Sequence, residues 1–454
     1  MHTPGILYEA DFHPAEYRAR YEKARGAMDC LGIDALLLSL GIHLRYLAGY
    51  RTPFWGDAPG IPLALIPRDP ALAPALILSR YMEFTAQTSW IEDVKYSSAP
   101  PCEDRGLPQQ PSPLDHPCDV AVELVRSRGL AGATLAMDVG NAVLDNMPTA
   151  AFDRIRAGLP QARIVDAAPA MSQIRQIKSA AEIEVLRRVC HTTCEAWRAG
   201  LEALKEGMRE KDLAAVICST ISQAGDEAGM IRPWAIYMAS GKDMARWCNV
   251  LASPYQLQRG DLVLIDGGAT CKGYHADIIR WGAIGEPSAE DRYLLDGATE
   301  AHVACRSAMK AGVPCSEIHR IGADVYRRSR MDHDDWAVWG PAGHGIGLEV
   351  HEAPFLLPDN DRPLQAGMVI TIEPLIVRTR SGRFAADPAR RHEGHAPDMW
   401  AVEDDLVVTE DGHELLTPLQ PYVWTTPLGA GPVPEVPKGE SVHGRPGDFR
   451  NAGG

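Results

Sequence analysis

In the second half of the chain, five runs that read as buried strand or glycine-rich turn lead straight into an ionisable residue. "LVLI" leads into Asp266, "GYHA" into Asp277, "GPAG" into His344, "VITI" into Glu373 and "MWAV" into Glu403. A strand that carries a carboxylate at its end can hold it in a cleft while its backbone stays paired in a sheet. Left without a partner there, such a group costs several kcal/mol or takes up a proton. Four converging carboxylates would repel one another, and a pair of divalent cations reverses that sign, with a neutral imidazole completing the shell. Each residue alone also has a plainer reading. Asp266 before Gly-Gly fits a turn, Asp277 an N-cap or surface acid, His344 a loop, and Glu373 and Glu403 solvated acids. The ordered set of five is more specific than any member, and spacing alone does not prove convergence.

Composition is permissive for such a centre. The chain has 454 residues, 45% hydrophobic and 23% charged, with 60 acids against 45 Lys plus Arg and a formal charge of −15. That is ordinary for a soluble protein with a sizeable core. It argues against binding nucleic acid or anionic lipid through bulk charge. Ten cysteines are scattered without a C-x-x-C pair, which fits a reducing cytoplasm. The amino terminus lacks an apolar signal core, and no 18-residue apolar run occurs, so the sequence predicts neither export nor a membrane span.

The organisation reads as two domains and a tail. Apolar positions at helical spacing predict a helix over 14–31, followed by strand-like runs at 35–40, 62–67, 75–80, 133–140 and 162–167. Strands alternating with helices suggest an α/β domain over residues 1–170. The proline-rich stretch 99–118 reads as an exposed loop. Ser179 with Glu182 three residues later is a capping box. It opens a helix whose stripe includes Ile183, Leu186, Val189, Cys190, Trp197, Leu201 and Leu204. A second domain is expected over 171–424, with helices to about 225, strands near 236, 262, 369 and 402, and a helix around 290–310. Residues 425–454, rich in Pro and Gly, are expected to be a disordered tail.

These residues carry a resemblance. "LIDGGATCKGYHADIIR", "GHGIGLEVHEAP", "TIEP" and "VEDDLVVTEDGHELLT" resemble the pita-bread metallohydrolase family, which includes methionine aminopeptidase, aminopeptidase P, prolidase and creatinase. "IRQIKSAAEIEVLRR" is similar to the helix that opens its catalytic domain. "MDCLGIDALLLSLGIHLRYLAGY" is similar to the amino-terminal domain shared by aminopeptidase P, prolidase and creatinase. The resemblance spans roughly residues 14–418. It implies an α/β amino-terminal domain followed by an α+β pita-bread catalytic domain.

The resemblance also implies two divalent ions. By matching position, Asp266 would hold one through both oxygens, Asp277 and Glu403 would bridge the pair, and His344 and Glu373 would bind the second. Oxygen-rich ligation with one imidazole suits Mn²⁺ first, with Fe²⁺, Co²⁺ or Zn²⁺ as alternatives. Glu373 would also take the proton from the attacking water. His351 matches the cleft histidine that contacts substrate or oxyanion, and it fits proton handling near neutral pH. The implied activity is that of an Xaa-Pro dipeptidase or aminopeptidase P. The implied assembly is a homodimer in which "HLRYLAGYRTPFWG", 43–56, either approaches the partner's site or packs within its own domain.

Three departures from the peptidase pattern keep a non-peptide substrate open. Trp247, Cys248 and Asn249 stand where the proline-directed enzymes place an upstream histidine. "EPLIV", 373–377, replaces their "PG-x-Y" continuation, and Ala401 stands where they tend to carry arginine. The alternative is a creatinase-like C–N hydrolase, or an enzyme resembling the dimethylsulfoniopropionate lyase of this fold. Trp247 would suit a quaternary or sulfonium cation, although it also fits plain packing. A binding scaffold that has lost its metal is a third class, against which the five filled ligand positions argue.

Overall fold

The computed structural model describes residues 10–52, 61–97, 116–140, 147–224, 231–240, 250–329, 331, 336–378, 398–418, 420–426, 429–430 and 440–442. The chain divides into two compact units, Met1–Arg175 and Gln176–Gly454. The division falls a few residues after the expected 170 because one more helix, Ala168–Arg175, belongs to the first unit: Tyr46 donates its hydroxyl to the Ile174 carbonyl.

The first unit is built on six strands: β1 (Ala35–Leu38), β2 (Leu63–Pro67), β3 (Ala75–Ser79), β4 (Asp93–Ser97), β5 (Thr134–Met137) and β6 (Arg163–Asp166). They form one mixed sheet in the order β4-β3-β2-β1-β5-β6. The strands β1, β2 and β3 are buried along their whole length, so they read as continuous apolar runs rather than as an alternation. Helix α1 (Pro14–Leu31) starts with proline in its first turn and stops at Gly32, whose φ of 64° is left-handed. A helical turn, α2 (Gly41–His43), follows β1; helices α3 (Pro117–Ser127), α4 (Thr149–Gly158) and α5 (Ala168–Arg175) complete the unit. One core cluster joins β1, β2, β3 and β5 to α3 and α4 through Leu37, Leu65, Ile77, Val125, Met137 and Ile155. Residues 101–115 and 53–56, parts of the expected loop and of the expected dimer segment, lie outside the described residues.

The second unit opens with α6 (Ala180–Ala203), where Ser179 and Glu182 form the expected capping box. After α7 (Glu210–Gln223) come β7 (Ile231–Ser240), β8 (Leu262–Cys271), β9 (Tyr274–His275) and β10 (Arg280–Ile284). Helices α8 (Ala289–Ala308) and α9 (Cys315–Arg328) precede β11 (Trp336–Trp339), β12 (His344–Gly345), β13 (Glu352–Phe355), β14 (Val369–Ile372), β15 (Leu375–Arg378), β16 (Asp398–Trp400), β17 (Asp404–Val408), β18 (His413–Leu415), β19 (Val423–Thr426), β20 (Gly429–Ala430) and β21 (Glu440–Val442). Two larger sheets result, β20-β19-β10-β8-β7 and β13-β12-β14-β17-β18-β21, with a small sheet β11-β15-β16. Helix α6 lies on the first of them closely enough that a Cβ at Gly282 would meet Leu204 at 2.6 Å. Strands β20 and β21 fall within the segment expected to be disordered. Those five residues depart from that expectation because their backbone groups find ladder partners in β19 and β18.

Candidate metal centre

The sequence reading ended a strand at Asp266, and the structure corrects this. β8 runs on to Cys271, with Asp266 in its middle opposite Tyr237. The glycines that suggested a turn serve a different purpose. Gly267 adopts a φ of 116°, which side chains rarely tolerate, and a Cβ on Gly268 would meet the Ala276 carbonyl oxygen at 2.3 Å. The returning chain donates from Ala276 to the Ala269 carbonyl and from Ile278 to the Gly267 carbonyl. That register sets Asp277 across from Gly268 and diagonal to Asp266, so both carboxylates share one face.

The other three residues come from one end of the second sheet. β14 pairs with β17 from Val369↔Val407 to Ile372↔Asp404. The next rung brings Glu373 opposite Glu403. β12 lies on the other side of β14, with Gly345 opposite Ile370 and the Glu373 amide donating to the Ala342 carbonyl. His344 is therefore opposite Thr371, and its amide donates to Thr371 Oγ1 at 3.1 Å. His344, Glu373 and Glu403 thus share a face by the period-2 rule.

The five expected residues do converge. Ligand atoms of Asp266, Asp277 and Glu403 lie within 4.8 Å of one another, as do those of His344, Glu373 and Glu403. Asp277, His344 and His351 form a third such group, and the rings of His344 and His351 are 4.3 Å apart. His344 Nδ1 sits 3.0 Å from the Gly345 carbonyl, which can only accept. In the neutral ring Nδ1 therefore carries the hydrogen and Nε2 offers its lone pair to the acids, 3.3 Å from Glu373 Oε1.

Electrostatically this is an acid cage in want of cations. Asp277 Oδ1 and Glu403 Oε1 are buried with no hydrogen-bond partner. Burial, then the charges of neighbouring acids, push the Asp277 and Glu403 carboxyls well above their ordinary range. Asp266 is pushed up to about 7 by burial and then by Glu373. Burial lowers the His344 pKa, but Glu373, the Gly345 carbonyl and Asp405 together outweigh it and the net shift is upward. His351 is exposed overall; partial burial of its ring and then His344 lower its pKa. Orphaned buried oxygens facing an imidazole lone pair fit divalent metal held among Asp266, Asp277, His344, Glu373 and Glu403.

Sequence reasoning missed the supports. Trp197 Nε1 donates to the Ile278 carbonyl and Thr193 Oγ1 accepts from the Ala269 amide, so α6 braces both β8, which carries Asp266, and the segment between β9 and β10, which carries Asp277. Arg280 and Trp281 of β10 hold the stretch beside Glu403. Arg280 Nη1 donates to the Glu403 carbonyl and Nη2 to Asp404 Oδ1, both at 2.7 Å, and Trp281 Nε1 donates to the Ala401 carbonyl. Asp405, also buried, accepts from the Asp277 amide and the Cys190 thiol. Strict alternation from Glu403 would have flagged Asp405 as the acid on the same face. Trp247, Cys248 and Asn249 lie outside the described residues; Ala401 is buried.

Comparison with known proteins gives the family of both units. Residues 184–410 match Metallopeptidase family M24, and residues 20–177 match the Creatinase/Prolidase N-terminal domain. An Xaa-Pro dipeptidase of Pyrococcus furiosus is 31% identical over 247 residues, 54% of this chain and 64% of that protein, just under two thirds of its length. An uncharacterized peptidase of Bacillus subtilis is 26% identical over 403 residues, covering 88% of this chain and 97% of the relative. Among solved structures, an X-Pro aminopeptidase from Thermotoga maritima superposes with a TM-score of 0.69 at 25% identity, over 89% of this chain and 99% of that one.

Proposed function

The chain belongs to metallopeptidase family M24 and has its pita-bread fold, and from that premise we propose that it is a dinuclear-metal hydrolase that cleaves an amide bond next to proline. The observation that carries this reading is the set of buried, unpartnered acceptors Asp277 Oδ1 and Glu403 Oε1, within 4.8 Å of further acids on each side. When bound, a pair of divalent cations would acidify a shared water and polarise the attacked carbonyl. The rest falls to the chain's own side chains. Asp277 and Glu403 lie centrally enough to serve as bridges, with Asp266 on one side and His344 and Glu373 on the other. Glu373, only half-buried, is the group from which a proton can pass between the site and solvent; it would hold the proton taken from the water and return it to the leaving amide nitrogen. His351, exposed and in contact with His344, would steady the oxygen of the attacked carbonyl.

The oxygen-rich donor set favours Mn²⁺, with Fe²⁺, Co²⁺ and Zn²⁺ as the other ions to try. The described cysteines are free thiols, which suits a cytoplasmic setting, and the homodimer rests on the family resemblance alone. Among the described residues, no helix is long and apolar enough to cross a membrane. The test is metal content together with hydrolysis of Gly-Pro, Ala-Pro and Xaa-Pro-Xaa peptides by the manganese-loaded protein. About two bound ions and release of proline-containing products are expected. Bound metal without peptide cleavage would remove the peptidase assignment, and turnover of creatine or dimethylsulfoniopropionate would then replace it.

A further inference from the structure

We propose that Asp405 is a positioning residue of the metal centre: it fixes the Asp277 backbone and adds a fifth negative charge behind the four carboxylates and one imidazole of the ligand set, and so sets how tightly cations are held. The proposal rests on the dinuclear reading above and extends it to a residue outside the ligand set. Three observations converge on it. The first is register. Asp405 stands opposite Thr371 on β14, which in turn lies beside His344, so its side chain emerges on the same face as His344, Glu373 and Glu403. The second is its bonding. Asp405 Oδ2 accepts from the Asp277 amide and from Cys190 Sγ, each at 3.2 Å. Its own amide donates to Thr417 Oγ1 at 2.8 Å, and its carbonyl accepts from the Leu416 amide at 2.9 Å. The backbone is therefore clamped by the 416–417 segment, and the carboxylate, oriented by a thiol from α6, grips the chain at a proposed bridging ligand. The third is what remains: Oδ1 is buried with no hydrogen-bond partner. A carboxylate that served only to pin Asp277 would not need a second, unsatisfied oxygen in a crowd of acids.

The consequence has an unusual sign. A purely structural acid should weaken the protein when neutralised. Asp405 should instead burden the metal-depleted protein, because it repels Asp277 and Glu403, and repay this only when cations are bound. The experiment compares wild type with Asp405→Asn, which keeps the size and an acceptor oxygen but loses the charge. Cys190→Ala is the second variant, removing only the orienting thiol. Each is titrated with Mn²⁺ against a fluorescent chelator, and each is melted with and without Mn²⁺; Co²⁺ loading gives an absorption spectrum that reports coordination. For Asp405→Asn the expected results are a roughly 10–100-fold weaker Mn²⁺ affinity, an altered Co²⁺ spectrum, and a metal-depleted melting temperature at or above that of wild type. Cys190→Ala should shift affinity in the same direction by less. Affinity within twofold of wild type in a folded Asp405→Asn protein would overturn the proposal, as would a lower metal-depleted melting temperature with an unchanged Co²⁺ spectrum. If wild type itself takes up no Mn²⁺ or Co²⁺, the dinuclear reading falls and this inference with it. That outcome is distinct from wild type loading normally and the variant matching it.

Discussion

Asp404 and its two neighbours, Glu403 and Asp405, sit side by side in sequence and are all buried, yet they live in opposite surroundings. Asp404 points away from the cage. Arg280 meets it at 2.7 Å, Tyr422 donates to it at 2.9 Å, and Arg306 lies at 3.5 Å. Burial would raise its pKa, but Arg280, His302 and Arg306 together outweigh burial and hold the carboxyl below its ordinary value. Glu403 and Asp405 point to the other face, where no described side chain supplies a fixed cation. Burial pushes Asp405 up to about 7 and Glu403 well above its usual range. The lesson is that the protein can neutralise a buried acid with its own residues when it needs only structure. Where it leaves acids unneutralised, the compensating charge has to come from outside.

The largest expected effect comes from the unneutralised side. Asp277→Asn or Glu403→Gln should abolish turnover and sharply reduce bound metal, measured by metal analysis beside the peptide assay; full activity in either would contradict the bridging roles. His351→Ala should come next. It stands beside His344 and Asp277 at the exposed edge of the cage, so the rate should fall by about 10²-fold with metal content nearly intact, and loss of metal instead would make His351 a ligand.

Breaking the neutralised side should read out in stability. Arg280→Met leaves Asp404 buried beside a weaker set of partners and should cost about 3–5 kcal/mol in urea unfolding of the metal-depleted protein. Glu403→Gln under the same conditions should cost nothing or stabilise. Equal losses in both would erase the contrast.

The smallest effect is in pH. Burial pushes the Asp266 and Asp405 carboxyls up to about 7 in the folded protein, against about 3.9 in an unfolded chain. The folded state therefore holds more protons between those values, and these groups' contribution to metal-depleted stability is present at low pH and lost as pH rises through 7. Cations bind the deprotonated acids, so the melting-temperature gap between loaded and depleted protein should widen from pH 5 to pH 8. A constant gap would mean these carboxyls are not part of the cage.

How much of this was legible beforehand differs by region. The first unit's strands were readable because β1, β2, β3 and β5 are short apolar runs bounded by turn residues, and the second unit's α6 was readable because it carries a capping box. The five candidate residues stood out because each follows an apolar or glycine-rich run. The path of β8 was not. Gly-Gly after an acid looks like a turn, and only the close approach of the Ala276 carbonyl explains why a strand should contain it. Nothing local set Asp404 apart from Asp405, since a sequence does not say which strand will lie alongside.

By itself the sequence determined which residue types stand at the ends of which runs, because burial and alternation are local properties of a strand. Only the tertiary structure decided their meaning. Charge balance is a property of space: whether Arg280 or an absent cation faces an acid depends on strands brought together from 262–284 and 369–408, and no local pattern records that pairing.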